Sequence, residues 1–182
     1  MKTLIIHPRD TSTDFLKGIY FDLPNKTIIS GGITKKEVHE QIKLHDRVIM
    51  LGHGTPSGLM SVGRFGKDCF NIIDETSVPL LREKKDNVYI WCNANQFVNR
   101  HSLKGFYSGM FVSEVSEAFY CKLPFVKQEQ VDQSNYGFSH ILSKYIDKET
   151  TDIFINVKCE YGKYVKDNPV VEYNHERLYQ RL

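Results

Sequence analysis

His53 and Cys92 are the two side chains in this 182-residue chain whose types and surroundings suit joint covalent chemistry. His53 sits between Gly52 and Gly54, directly after the apolar run Arg47-Val48-Ile49-Met50-Leu51. Cys92 directly follows Asn87-Val88-Tyr89-Ile90-Trp91. A thiolate attacks a carbonyl carbon, and an imidazole takes the thiol proton and returns it to a leaving amine. The pair therefore suits acyl transfer. Such a thiol needs a lowered pKa, which a position just before a helix N-terminus helps supply. The sequence predicts a helix beginning near Asn95 and Gln96. Charge developing on the attacked carbonyl oxygen needs preorganised donors. The backbone N–H groups of Gly54 and Cys92 are the natural candidates for that oxyanion hole, and a glycine after the histidine would let a substrate backbone approach closely.

The elements that must position this pair read as alternating strands and helices. Short apolar runs predict strands at residues 3–7, 27–30, 47–51 and 87–91, with a fifth at 110–112 and an edge strand at 170–173. Helical spacing covers residues 14–21, and a capping box of Thr34 with Glu37 opens a helix to about His45. Further helices are predicted from Ser77 to Lys85 and over residues 96–108, 114–121, 132–147 and 151–164. The stretch 57–74 is Gly-rich and weakly periodic, with room for a small hairpin around residues 59–62 and 70–73. This order implies an α/β fold with a largely parallel sheet. Ligands of open α/β sheets bind outside the carboxyl ends of the strands. If strands 47–51 and 87–91 are neighbours, His53 and Cys92 emerge on that edge together.

The pattern resembles the caspase-like cysteine peptidases, among them caspases, legumain, gingipain, clostripain and separase. In that family a hydrophobic strand runs into His-Gly and the next strand runs into the nucleophilic Cys. The matching segments are Val48-Ile49-Met50-Leu51-Gly52-His53-Gly54 and Val88-Tyr89-Ile90-Trp91-Cys92, 39 residues apart from His to Cys, where caspases use roughly 50. The resemblance covers about residues 1–120. It implies a three-layer sandwich with a mostly parallel central sheet, the His strand beside the Cys strand, and a single domain over residues 1–182. It also implies a His53/Cys92 dyad, Gly54 as an oxyanion donor, and a peptide or protein substrate. The chain departs from the family at Trp91, where members commonly carry a small residue, and at Asn93-Ala94-Asn95, where caspases have a Gly-containing run. Those departures motivate two alternatives, an inactive binding or scaffolding domain and a thiol hydrolase acting on a small-molecule amide or ester.

Around the pair, Arg9 and Asp10 follow the first strand on the same edge. Arg9 would read an acidic substrate side chain and Asp10 a basic one, and either also serves as a solvated loop residue. Trp91 either lines the substrate pocket or packs beneath a covering helix. Thr11, Ser12 and Thr13 read as helix caps. Glu114 and Glu117 lie near the cleft or form a solvated helix face. His45, His101 and His140 read as surface residues. Residues 127–132 read as a polar loop, a place where the chain could be cut.

Composition narrows the function class. Lys and Arg number 24 against 22 Asp and Glu, which argues against a broad nucleic-acid footprint. The four cysteines are scattered with no CxxC pair, so a structural zinc site and a disulfide framework lack support. No metal or cofactor is expected. The three apolar residues before His7 are too few for a signal-peptide core, and no window has 18 apolar residues. The expectation is a cytoplasmic protein with reduced thiols and no membrane partner.

Overall fold

The structure, a computed structural model, describes residues 1–63, 65 and 69–182. Four positions of the weakly periodic stretch 57–74 therefore lie outside the described residues. The chain folds as a six-stranded sheet with helices on both faces. Its strands are β1 (Thr3–Ile6), β2 (Lys26–Ile29), β3 (Arg47–Leu51), β7 (Val88–Ile90), β8 (Gly105–Ser108) and β9 (Leu178–Arg181). Their spatial order is β2-β1-β3-β7-β8-β9. Every pair is parallel except β8 with β9, which is antiparallel.

Three more strands, β4 (Gly54–Thr55), β5 (Gly58–Met60) and β6 (Asn71–Ile73), form a small antiparallel sheet just after β3. Among the described residues the α-helices are α1 (Lys17–Tyr20), α2 (Lys35–Lys43), α3 (Val78–Arg82), α4 (Ala94–Arg100), α5 (Val115–Tyr120), α6 (Gln128–Tyr145), α7 (Thr150–Tyr161) and α8 (Pro169–Glu176). None of them is long and apolar enough to cross a membrane.

The central strands are apolar throughout because both of their faces are covered. Leu4, Ile6, Val48, Met50, Tyr89 and Trp91 join one core with α2, α3 and α4. The intervening Ile5, Ile49, Leu51, Val88 and Ile90 join a second core with α1, α6 and α7. This is the period-two alternation of a strand expressed as two cores. The predicted Thr34/Glu37 capping box is present: Thr34 N–H donates to Glu37 Oε2 at 2.7 Å, and Glu37 N–H donates back to Thr34 Oγ1 at 3.3 Å.

Four local expectations are corrected. Residues 96–108 are not one helix: α4 ends at Arg100, and Gly105–Ser108 is the strand β8. The reason is at Gly105, whose φ of +141° suits glycine and whose missing side chain admits the Asn87 carbonyl. Residues 110–112 accordingly are not a strand but the loop that follows β8. Residues 170–173 lie in helix α8, because Asn168 caps Val170 and Val171 and Pro169 takes the first helical position. The antiparallel edge strand is instead Leu178–Arg181. The polar segment 128–132 forms the first turns of α6 rather than a loop.

Candidate functional site

β3 and β7 are adjacent and parallel, with Leu51 opposite Ile90. His53 lies two residues past Leu51 and Cys92 two past Ile90. The alternation that puts Leu51 and Ile90 in one core brings both side chains out on that same face. They line one narrow cleft with Phe15, Leu16, Phe111 and Ser113. Gly52, at φ +136°, turns the chain out of β3 just before His53, a conformation suited to glycine.

Polar contacts from the loop after β1 hold His53. Asp10 caps a 3₁₀ turn over Thr11–Leu16, its carboxylate accepting from Ser12 N–H at 3.0 Å and Ser12 Oγ at 2.6 Å. Ser12 Oγ lies 2.7 Å from His53 Nε2, and Asp10 Oδ1 lies 3.6 Å from the same nitrogen. The Ser12 hydrogen bonds hold the Asp10 carboxyl below the usual carboxylate range. The turn is itself pinned to β1 by buried His7, whose ring contacts Tyr20 Oη at 2.9 Å and Thr13 Oγ1 at 3.2 Å. Burial pushes the His7 pKa down to about 4.

Cys92 sits in a different setting. Its Sγ is 3.6 Å from the Phe111 carbonyl and 3.9 Å from Glu117 Oε1. Burial first, and then the Glu117 charge, push the thiol up to about 12. The expected lowering by the following helix does not prevail. α4 does begin two residues after Cys92, through Asn93 in the left-handed region at φ 67°, where Asn is tolerated better than most residues. Glu117 is held in place through its other oxygen: Oε2 accepts from Ser113 N–H at 2.8 Å, Ser113 Oγ at 3.0 Å and Glu114 N–H at 3.2 Å.

Of the two oxyanion candidates, the Gly54 N–H is placed by the small antiparallel sheet. Met60 N–H donates to the His53 carbonyl at 2.9 Å. Pairs alternate along an antiparallel ladder, so His53/Met60 is a hydrogen-bonded pair and the next pair, Gly54/Leu59, is not. The Gly54 N–H therefore points away from β5, as an oxyanion donor requires. The absence of a side chain at Gly54 has a nearer cause than a substrate. A Cβ there would lie 2.1 Å from Trp91 Cδ1. Trp91 borders the cleft, but its ring is only 1% exposed and belongs to the opposite core, between Tyr89 and Phe97. Its Nε1–H donates to the Thr55 carbonyl at 3.1 Å.

Of the remaining sequence candidates, Asp10 is brought to His53, whereas Arg9 is exposed. His45 is buried rather than on the surface, bonded to the Gln41 carbonyl at 2.7 Å and Thr27 Oγ1 at 2.9 Å. Sequence reasoning gives Ser12 only a capping role; of its two readings of Glu117 the one near the cleft holds, with Oε1 3.9 Å from Cys92 Sγ. The Asp-x-Ser spacing at positions 10–12, on the same sheet edge as His53, was the signal for the first. A wider cleft of about 470 Å³ adjoins the narrow one through Phe15 and Ser113. It carries the carboxylates of Asp14, Glu114 and Asp132. Among the described residues no group of three or more His, Cys, Asp and Glu side chains is placed to hold a metal ion. No protein-family model matches the chain, and no curated protein matches it.

Proposed function

We propose that the chain is a cysteine hydrolase of caspase-like type that cleaves peptide bonds with His53 and Cys92. The observation that carries this reading is the emergence of both side chains from adjacent parallel strands, on one face, into one cleft. In the reaction the Cys92 thiol gives its proton to the His53 imidazole and its sulfur bonds to the scissile carbonyl carbon. The Gly54 and Cys92 N–H groups receive the oxyanion. The C–N bond then breaks as the imidazolium returns the proton to the amine, and water hydrolyses the thioester.

The thiol must first leave the Phe111 carbonyl and Glu117, so the arrangement corresponds to a resting enzyme. The charge beside the site, at Asp10, Glu114 and Asp132, with Asp14 paired to Lys17, supports a basic rather than an acidic side chain on the substrate.

The test is hydrolysis of a fluorogenic peptide library by the wild type, Cys92→Ala and His53→Ala. We expect wild-type turnover, with each variant slower by about a thousandfold or more. Equal rates in all three proteins would remove the dyad. A second reading, a non-catalytic binding domain on the same fold, is favoured by the thiol pKa of about 12. It predicts no labelling of Cys92 by an electrophilic peptide probe at neutral pH, whereas the first reading predicts labelling that His53→Ala suppresses.

A further inference from the structure

We infer that Ser12 and Asp10 are positioning residues that fix the proton of neutral His53 on Nε2, leaving Nδ1 as the nitrogen that accepts the thiol proton. This deepens the hydrolase reading and rests on it for the identity of the reaction, but the proton placement stands on geometry alone. A hydroxyl has one proton to donate and lone pairs to accept with, whereas an ionised carboxylate only accepts. Asp10 Oδ1 receives the Ser12 hydroxyl at 2.6 Å and the Ser12 N–H at 3.0 Å. The one hydroxyl proton is therefore committed to Asp10.

Ser12 Oγ still lies 2.7 Å from His53 Nε2. Two lone pairs facing each other at that distance would repel, so Nε2 must carry a proton and donate it to Ser12. Neutral imidazole has only one N–H, and Nδ1 is left with its lone pair. Among the described residues Nδ1 has no hydrogen-bond partner, whereas Nε2 has Ser12 and Asp10 beside it.

The arrangement is a carboxylate acting on a histidine through an inserted hydroxyl. When Nδ1 takes the thiol proton, the imidazolium keeps Nε2–H directed at Ser12, with the Asp10 carboxylate 3.6 Å away as counter-charge. No covalent change occurs at Ser12 or Asp10. Ser12 is not read as a nucleophile, because its proton points at Asp10 and its lone pair at His53.

Nitrogen-15 spectra of the His53 ring test the placement in the wild type, without a substrate and without relying on any variant to fold. We expect predominantly the Nε2–H form at neutral-ring pH. In Ser12→Ala the preference should collapse toward a mixture, and Ser12→Thr, which restores the hydroxyl, should restore it. In the hydrolysis assay Ser12→Ala should lower kcat about a hundredfold with KM within about twofold, and Ser12→Thr should recover most of that loss. A wild-type ring with its proton mainly on Nδ1 overturns the inference, as does a tautomer indifferent to Ser12→Ala. If the ring is Nε2–H but no peptide is cleaved, the peptidase reading fails and the proton placement survives.

Discussion

On the β3 side of the cleft, His53 is 28% exposed and hangs from Ser12 and Asp10 by short polar contacts. On the β7 side, Cys92 sits against the Phe111 carbonyl with a charged Glu117 at 3.9 Å. His53 is held in a part-exposed, polar loop, while the Cys92 thiol is kept protonated by burial and a like-signed neighbour. The contrast teaches that position in the sheet and the electrostatic setting of a side chain are separate achievements. The sheet topology supplies the first for both residues. The loops supply the second, and they give His53 polar partners and Cys92 a buried, like-charged setting.

Among the contacts between the two halves is Gly54 against the Trp91 ring, and that is where the largest change should follow from a small edit. Gly54→Ala puts a methyl 2.1 Å from Trp91 Cδ1, where a rigid buried ring cannot yield. We expect a loss of about 1–3 kcal/mol of stability, read as a lowered midpoint in urea. An unchanged midpoint would mean that the halves are not coupled there.

Glu117→Gln should make the Cys92 half more like the His53 half, by removing the charge that opposes the thiolate. Alkylation of Cys92 by iodoacetamide at pH 8.5 should speed up about tenfold, one pKa unit. No change would assign the suppressed thiol to burial alone. The gentlest test is alkaline stability. Burial and Glu117 push the folded thiol up to about 12, above its ordinary value of 9.0, so the unfolded chain loses this proton first. The stabilisation is whole below pH 9 and drains away as pH rises toward 12. Urea midpoints of the wild type should therefore fall relative to Cys92→Ala between pH 8 and 10. Parallel profiles would contradict the raised thiol pKa.

Much of this frame was legible because buried parallel strands write themselves as unbroken apolar runs. Residues 3–6, 47–51 and 88–90 needed no tertiary information. β8 was hidden because Gly105-Phe106-Tyr107-Ser108 carries neither alternation nor a β-branched residue. Its strand character comes from β7 and β9 on either side. Helix α8 was mistaken for a strand because Val170-Val171 has strand propensity, which the Asn168 cap and Pro169 override. At the site, His53 and Cys92 were visible because glycines and strand ends marked them. Ser12 reads only as a cap, and Glu117 as either near the cleft or on a solvated face, because the partner that decides each is 41 or 25 residues away in the chain.

The tryptophan count is one, and that indole lies across Gly54 with its N–H on the Thr55 carbonyl. All tryptophan emission from the molecule thus originates within a residue of both His53 and Cys92. A ligand that draws on the Gly54 amide binds to backbone that packs directly on this ring. Intrinsic fluorescence gives an unlabelled optical record of the cleft, with no second tryptophan to correct for.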